Sequence, residues 1–409
     1  MRKSGKSPVF TQQEKQSIYG LSGILFFRMC GLFLLLPIFS VLAQELDSAT
    51  PALIGLAFGA YGLAQALLQI PMGAWSDRIG RKPVIALGLL LFIAGSLLGA
   101  VAEDVYLMII ARLLQGSGAI SSAIFALIAD LTRSEVRTRA NAGLGASIGL
   151  AFGIAFVVAP PLAEWLGLSG IFWLMAMMGV ASLIILFSAL PNPDSAVAPS
   201  PLTLREGLVQ VWGISALRTI DWGAFVCSVG LSSMFFLIPL KLVQLGWERG
   251  ELWQIYLPML VAGALTMIPA AIVAETRNRF REVMLAGNLL LLGSLAALGW
   301  FWEDPQSPGV IAAMLLFFMG FNVFEPLFPS LVTKMTSPET KGTASGVYNL
   351  SQFMGHFVGA ALAGALYQSH FAWLLISLAA LELLFLYGTF VFPNPQRHEF
   401  KAQPEPLTG

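Results

Sequence analysis

Residues 73–83 read GAWSDRIGRKP. Four of the six residues from Asp77 to Lys82 are charged, in a 409-residue chain with only 11% charged residues. The stretch sits between long apolar runs. Val84–Ala102 carries no charge over nineteen residues, and Gly170–Leu190 none over twenty-one. Soluble domains are about 25% charged. Roughly 20 apolar residues suffice for a helix to cross the hydrocarbon of a bilayer. Lipid offers no partners to backbone polar groups, so only helices and closed barrels span it. Barrel strands would alternate in hydrophobicity over about 10 residues; these runs are continuous. The chain therefore reads as an all-α integral membrane protein.

Apolar runs mark twelve spans, at 17–42, 51–75, 84–102, 105–129, 140–165, 170–191, 219–243, 252–274, 283–302, 309–333, 343–367 and 370–393. The segment 192–218 opens on PNPDSAVAPSP, from Pro191, and reads as a linker. The expected organisation is a six-helix bundle over 1–191, a cytoplasmic linker over 192–218, a second six-helix bundle over 219–396 and a cytoplasmic tail over 397–409. Of 23 basic residues, Arg28 and Arg112 lie within spans, and Lys241 and Arg249 lie at the end of the seventh span and in the loop after it. The other nineteen fall at the termini or in loops on the same side, so both termini are expected in the cytoplasm. The opposite side carries Glu45, Asp47, Glu103, Asp104, Glu303 and Asp304. The apolar run after the basic N-terminus has no clear cleavage site and reads as a retained span.

The two halves share a pattern. Thr132, Glu135, Arg137 and Ala140 recur 204 residues later as Thr336, Glu339, Lys341 and Ala344, and Gly116 meets Gly320. A parallel six-helix repeat is a transporter architecture with its site at the midplane.

On these residues the chain resembles the major facilitator superfamily. GAWSDRIGRKP is similar to that family's signature loop between helices two and three, with Gly73, Asp77, Arg78, Gly80, Arg81 and Lys82 at its positions. RLLQGSGA, with Arg112, Gln115, Gly116 and Gly118, resembles a fourth-helix motif of the proton-coupled drug antiporter branch. GLGASIGLAFGIAFVVAPP partly resembles the antiporter motif of the fifth helix. Gly145, Gly149 and Gly153 share one face there, and small residues let helix backbones pack closely in lipid. The motif's closing Gly-Pro is Ala159-Pro160 in this chain, and its final glycine pair is absent. Within the superfamily the chain looks most like the bacterial YajR-type group, without that group's extra soluble C-terminal domain.

The resemblance implies a conformational latch. Gly73 and Gly80 permit a tight turn. Asp77 would reach the N-terminus of the eleventh helix, near Gly342, where a carboxylate is worth about 0.3–1 kcal/mol. A charge chain would run from Asp77 through Arg81 to Asp130 and stabilise the outward-facing state. In the second half the position equivalent to Asp77 is Arg281, so the latch is single-sided. Arg78 and Lys82 read as positive-inside anchors.

Charges within spans cost on the order of 2.5–3.5 kcal/mol each on insertion scales. Arg28, Arg112, Asp221 and Glu325 fall on helices one, four, seven and ten, which line the cavity in this superfamily. Glu325 lies in FNVFEPLFP, with Asn322 on the same face. Pro326 has no N–H to give the Asn322 carbonyl. Glu325, with Arg112 and Arg28, is the candidate for proton coupling; the alternative is an ion pair between Glu325 and one arginine that only orients helices. Asp221 reads as a helix cap, and Glu382 as a packing or snorkelling residue. Tyr348, Gln352 and His356 repeat at intervals of four on the eleventh span, and Tyr61, Gln65 and Gln69 do so on the second. With Asn322 and Gln115, the first set and Gln65 are candidates to line a substrate cavity, or else serve as interhelical glue. Met234, Phe235, Phe236 and Phe318 could add an apolar wall or simply pack. Cys30 and Cys227 lie in apolar runs without metal-ligand spacing, so no metal or cofactor is expected.

The expected function is secondary active transport, not enzymatic: proton-coupled efflux of small amphipathic or lipophilic compounds across a bacterial inner membrane. The expected partners are substrate, protons and the lipid bilayer, with no nucleic acid and a monomeric state. No Walker loop is present to support ATP drive. A proton symporter or uniporter of a small metabolite is the alternative, ahead of a non-transporting receptor.

Overall fold

A computed structural model of the chain describes residues 9–191, 204–304, 306–337 and 339–393. The first part of the expected linker, 192–203, and the expected tail, 397–409, lie outside the described residues. The chain divides into two compact units: Met1–Pro199 with Arg249–Trp253, and Ser200–Glu248 with Gln254–Gly409.

The first unit contains α1 (Gln12–Leu35), α2 (Phe39–Leu42), α3 (Pro51–Ile79), α4 (Arg81–Ala100), α5 (Val105–Ser117), α6 (Ser121–Asp130) and α7 (Ser134–Ser188). Short-range chemistry sets several starts. Thr11 and Glu14 form a reciprocal capping box on α1. Thr50 caps α3 ahead of Pro51. The Asp104 carboxylate accepts the amides of Tyr106 and Leu107 at the head of α5.

Two expected spans are joined and one is broken. The fourth span parts at Gly118 into α5 and α6. The fifth and sixth run as one element, α7, bent at Gly167. α1 lies along α7, while α5 packs against both α3 and α4. Leu21, Ile24, Val84, Leu89, Ile124 and Leu144 belong to one buried cluster in this unit.

The second unit contains α8 (Leu204–Gly213), α9 (Ser215–Gln244), α10 (Trp253–Arg277), α11 (Phe280–Phe301), α12 (Ser307–Lys334), α13 (Lys341–Leu366) and α14 (Phe371–Phe390). The described part of the expected linker is thus helical, broken only at Ile214 before α9 begins. Asp221 is therefore inside α9 and not its cap, which corrects the sequence expectation. α9 is the unit's central helix, packed on α12, α13 and α14. Met234, Phe235, Phe236 and Phe318 are fully buried, and Phe235 meets Phe318 edge-on at 5.5 Å between ring centres. These four residues are core, not a cavity wall.

Ten helical stretches among the described residues are long and apolar enough to cross a membrane. α7 counts once among them although it covers two expected spans, and α13, with its polar stripe, is not included. The exposed outer faces carry large apolar side chains such as Leu90, Phe187, Leu265 and Trp300, which suit a hydrocarbon surround.

Candidate functional site

The charged stretch is barely a loop. Asp77 and Arg78 belong to the last turn of α3, and Arg81 and Lys82 to the first turn of α4. Gly80 alone turns the chain, with φ of 99°, a conformation glycine adopts without a Cβ penalty. This places an acid at a helix C-terminus and a base at an N-terminus, each at the wrong pole of its helix dipole. Pairing compensates. The buried Arg81 guanidinium donates to Asp77, to the Ser76 hydroxyl at 2.7 Å and to Asp130 at the end of α6 at 3.2 Å. Asp77, Arg81 and Asp130 are thereby joined in one chain of charges. The Asp77 side chain remains 61% exposed, against 8% for Arg81. Lys82 donates to the Leu190 carbonyl, beyond the end of α7, so it ties two segments together and does more than anchor the unit. Gly73, on α3, faces the Ser122 hydroxyl of α6.

Deeper in the first unit, two buried arginines are held by neutral groups. Arg28 donates to the Tyr61 hydroxyl at 3.1 Å, to Gln65 Oε1 at 3.0 Å and to the Gly118 carbonyl. That carbonyl sits at the α5–α6 break, where it also accepts the Ile120 amide at 2.9 Å. Gln65 passes the chain on to Gln69 at 3.1 Å. Arg112 donates to Gln115 at 2.8 Å, and Gln115 donates to Ser96 at 2.8 Å. The Arg112 guanidinium also lies 4.9 Å from the Tyr61 ring centre, a cation–π contact. Arg28, Tyr61, Gln65, Arg112 and Gln115 therefore form one connected polar site. Sequence spacing marked these residues separately; Ser96 was not singled out, and nothing in its local sequence distinguishes it from a packing serine.

Gly145, Gly149 and Gly153 behave differently from the expectation. Within their own unit, a Cβ at any of them would meet nothing within 4 Å. Among the described residues, this face of α7 makes no close helix packing in the first unit. Gly116 does: a Cβ there would run into the Tyr61 carbonyl of α3.

At the start of the first unit, Glu14 and Arg133 form a further pair that the sequence analysis did not single out. The Glu14 carboxylate accepts Arg133 Nε at 2.9 Å, Arg133 Nη2 at 3.0 Å and the Arg133 amide at 3.1 Å. These bonds to Glu14 raise Arg133, in the turn between α6 and α7, above its ordinary value. The Thr-x-x-Glu spacing of the capping box was its one local signal.

In the second unit, Glu325 projects an exposed side chain from α12 and forms no ion pair within that unit among the described residues. It lies within electrostatic range of the buried Tyr348 on α13. Asn322 donates to the Phe318 carbonyl at 2.8 Å. His356 Nδ1 and the Ser232 hydroxyl of α9 are 2.9 Å apart. Gln352 is half-buried between Tyr348 and His356 along α13. Among the described residues, no group of three or more His, Cys, Asp and Glu side chains could hold a metal ion.

The family described as Major Facilitator Superfamily matches residues 21–360 and 263–408. The chain is 36% identical to the inner membrane transport protein YajR of Escherichia coli (strain K12) over 363 residues, covering 87% of this chain and 78% of that protein. It is 27% identical to the multidrug resistance protein MdtH of Proteus mirabilis (strain HI4320) over 350 residues, covering 83% and 84%. Among solved structures, a D-xylose-proton symporter superposes with a TM-score of 0.73 at 18% identity, covering 93% of this chain and 98% of that one. The human organic anion transporter MFSD10 does so with a TM-score of 0.68 at 19% identity, covering 93% and 100%. At these identities the two structures speak to the fold alone.

Proposed function

This chain belongs to the Major Facilitator Superfamily, and we propose that it is a proton-coupled exporter of small amphipathic or lipophilic compounds. It is a transporter rather than an enzyme, and a multi-pass protein of a bacterial inner membrane. The similarity to multidrug resistance proteins named MdtH supports the drug-like substrate class.

One contrast carries the reading. Arg28 and Arg112, buried in the first unit, are engaged by neutral partners, whereas Glu325 is an exposed carboxylate that forms no ion pair within its own unit among the described residues. A group so placed is free to exchange a proton for a substrate. Proton movement would be driven by about 2.3 kcal/mol per charge per 100 mV of potential and by about 1.4 kcal/mol per pH unit.

In this account Glu325 takes the proton, and the Arg28–Arg112 network tunes the cycle from the first unit. Asn322, Gln115, Tyr348, Gln352, His356 and Gln65 contact the substrate. The Asp77–Arg81–Asp130 chain, with Gly73 and Gly80, serves as the conformational latch. The protein works as a monomer with no cofactor and no nucleic-acid partner.

The test is to reconstitute the chain in sealed vesicles under an imposed pH gradient and follow internal pH while lipophilic cations and small metabolites are added singly. Collapse of the gradient by a lipophilic compound supports the proposal. Gradient collapse by polar metabolites alone would replace it with metabolite transport.

A further inference from the structure

Glu382 occupies a position that transport through Glu325 does not use. It lies midway along α14 and is 3% exposed, so its carboxyl is enclosed by protein rather than extended to a membrane surface; it does not snorkel. It lines a cavity entirely within the second unit, shared with Cys227 and Gly230 of α9, Leu291 of α11, Phe317 of α12 and Leu378 of α14. Glu382 Oε1 is buried and meets no hydrogen-bond donor among the described residues.

The surrounding groups decide its charge. Among the described residues, Cys227 of α9 is the one other titratable residue lining the cavity, and as a neutral thiol it brings no positive charge. α11 and α12 contribute Leu291 and Phe317. The titratable residues of α13 nearest the middle of the unit, Tyr348 and His356, do not line it. Asp221 and Glu325 are acids and could only oppose a second negative charge. An isolated carboxylate in such surroundings costs so much that the group binds a proton instead.

We propose that Glu382 is a second proton-binding site, a neutral carboxyl held in the apolar cavity among α9, α11, α12 and α14. Gly230 lets the Phe317 ring pack against α9, where a Cβ would meet that ring at 2.8 Å, and the acid releases its proton when this packing opens. The inference does not rest on proton-coupled export, since the site would bind its proton with no substrate present.

The test is infrared difference spectroscopy on the full chain in lipid nanodiscs near neutral pH, comparing wild type with Glu382→Gln and Glu325→Gln. The expected result is a protonated-carboxyl C=O band that persists in Glu325→Gln and disappears in Glu382→Gln. Loss of an ionised-carboxylate band in Glu382→Gln, or no difference in either region, would overturn the proposal. Should Glu382→Gln fail to fold, wild-type protein treated with a hydrophobic carbodiimide, which reacts with the acid form, gives the answer. Modification mapped to Glu382 and fading as pH rises supports the site. Modification of other carboxyls with Glu382 untouched overturns it.

Discussion

Arg81 and Asp130 meet at 3.2 Å across α4 and α6, with the arginine side chain 8% exposed and the aspartate 19%. The same guanidinium holds Asp77, whose side chain is 61% exposed. Stability and transport should therefore separate at this site. Arg81→Ala strands the Asp130 carboxylate and removes charge-assisted hydrogen bonds, a loss of about 2 kcal/mol. Asp77→Ala removes an exposed partner, worth under about 1 kcal/mol. Thermal melting in detergent should rank Arg81→Ala well below Asp77→Ala, while both slow transport. Equal melting with normal transport in Asp77→Ala would remove the latch role.

Arg28 reaches three acceptors with one planar fork. Lysine keeps the charge but cannot span Tyr61, Gln65 and Gly118 together. Arg28→Lys should cost about 1–3 kcal/mol through the acceptors left unpaired, seen as a lower melting temperature. Gln65→Ala, which removes one of the three, should lie between it and wild type.

The glycines of α7 and α5 should respond in opposite ways. Gly145→Ala adds a methyl group into open space within its unit and replaces a poor helix former, so the melting temperature should hold or rise, by up to about 1 kcal/mol in stability. Gly116→Ala pushes a methyl group into the Tyr61 carbonyl, between two packed helices, and should lower stability by about 1–3 kcal/mol. A destabilised Gly145→Ala would show that its face is packed after all.

His356 and Ser232 link α13 to α9 through one hydrogen bond at 2.9 Å. If His356 contacts substrate, His356→Asn should shift the order in which compounds collapse the pH gradient, whereas Ser232→Ala should leave that order unchanged. Identical substrate ranking in all three proteins would make the histidine interhelical glue.

Much of the architecture was legible because apolar run length is a direct consequence of bilayer thickness. The charged stretch at 73–83 was legible because charge is costly there and conspicuous. What stayed hidden depends on neighbours distant in sequence. RLLQGSGA reads as an uninterrupted span, yet Gly118 breaks it and bares a carbonyl to Arg28 from α1. Asp221 has the look of a cap until the helix is seen to begin at Ser215. Lys82 resembles any cytoplasmic lysine, but its partner is the carbonyl of Leu190. Glu382 looked like a peripheral acid because nothing in its own helix shows that α9, α11 and α12 close over it. Regular spacing likewise put Gly145, Gly149 and Gly153 on one face without saying whether anything lies opposite.

The central claim is that Glu325 carries the exchanged proton. The most direct measurement compares wild type and Glu325→Gln in sealed vesicles by two assays on one transported compound: uphill movement driven by a pH gradient, and exchange of labelled for unlabelled compound with no gradient. The account predicts that Glu325→Gln loses the gradient-driven movement and keeps the exchange. Gradient-driven movement that survives in Glu325→Gln would contradict it.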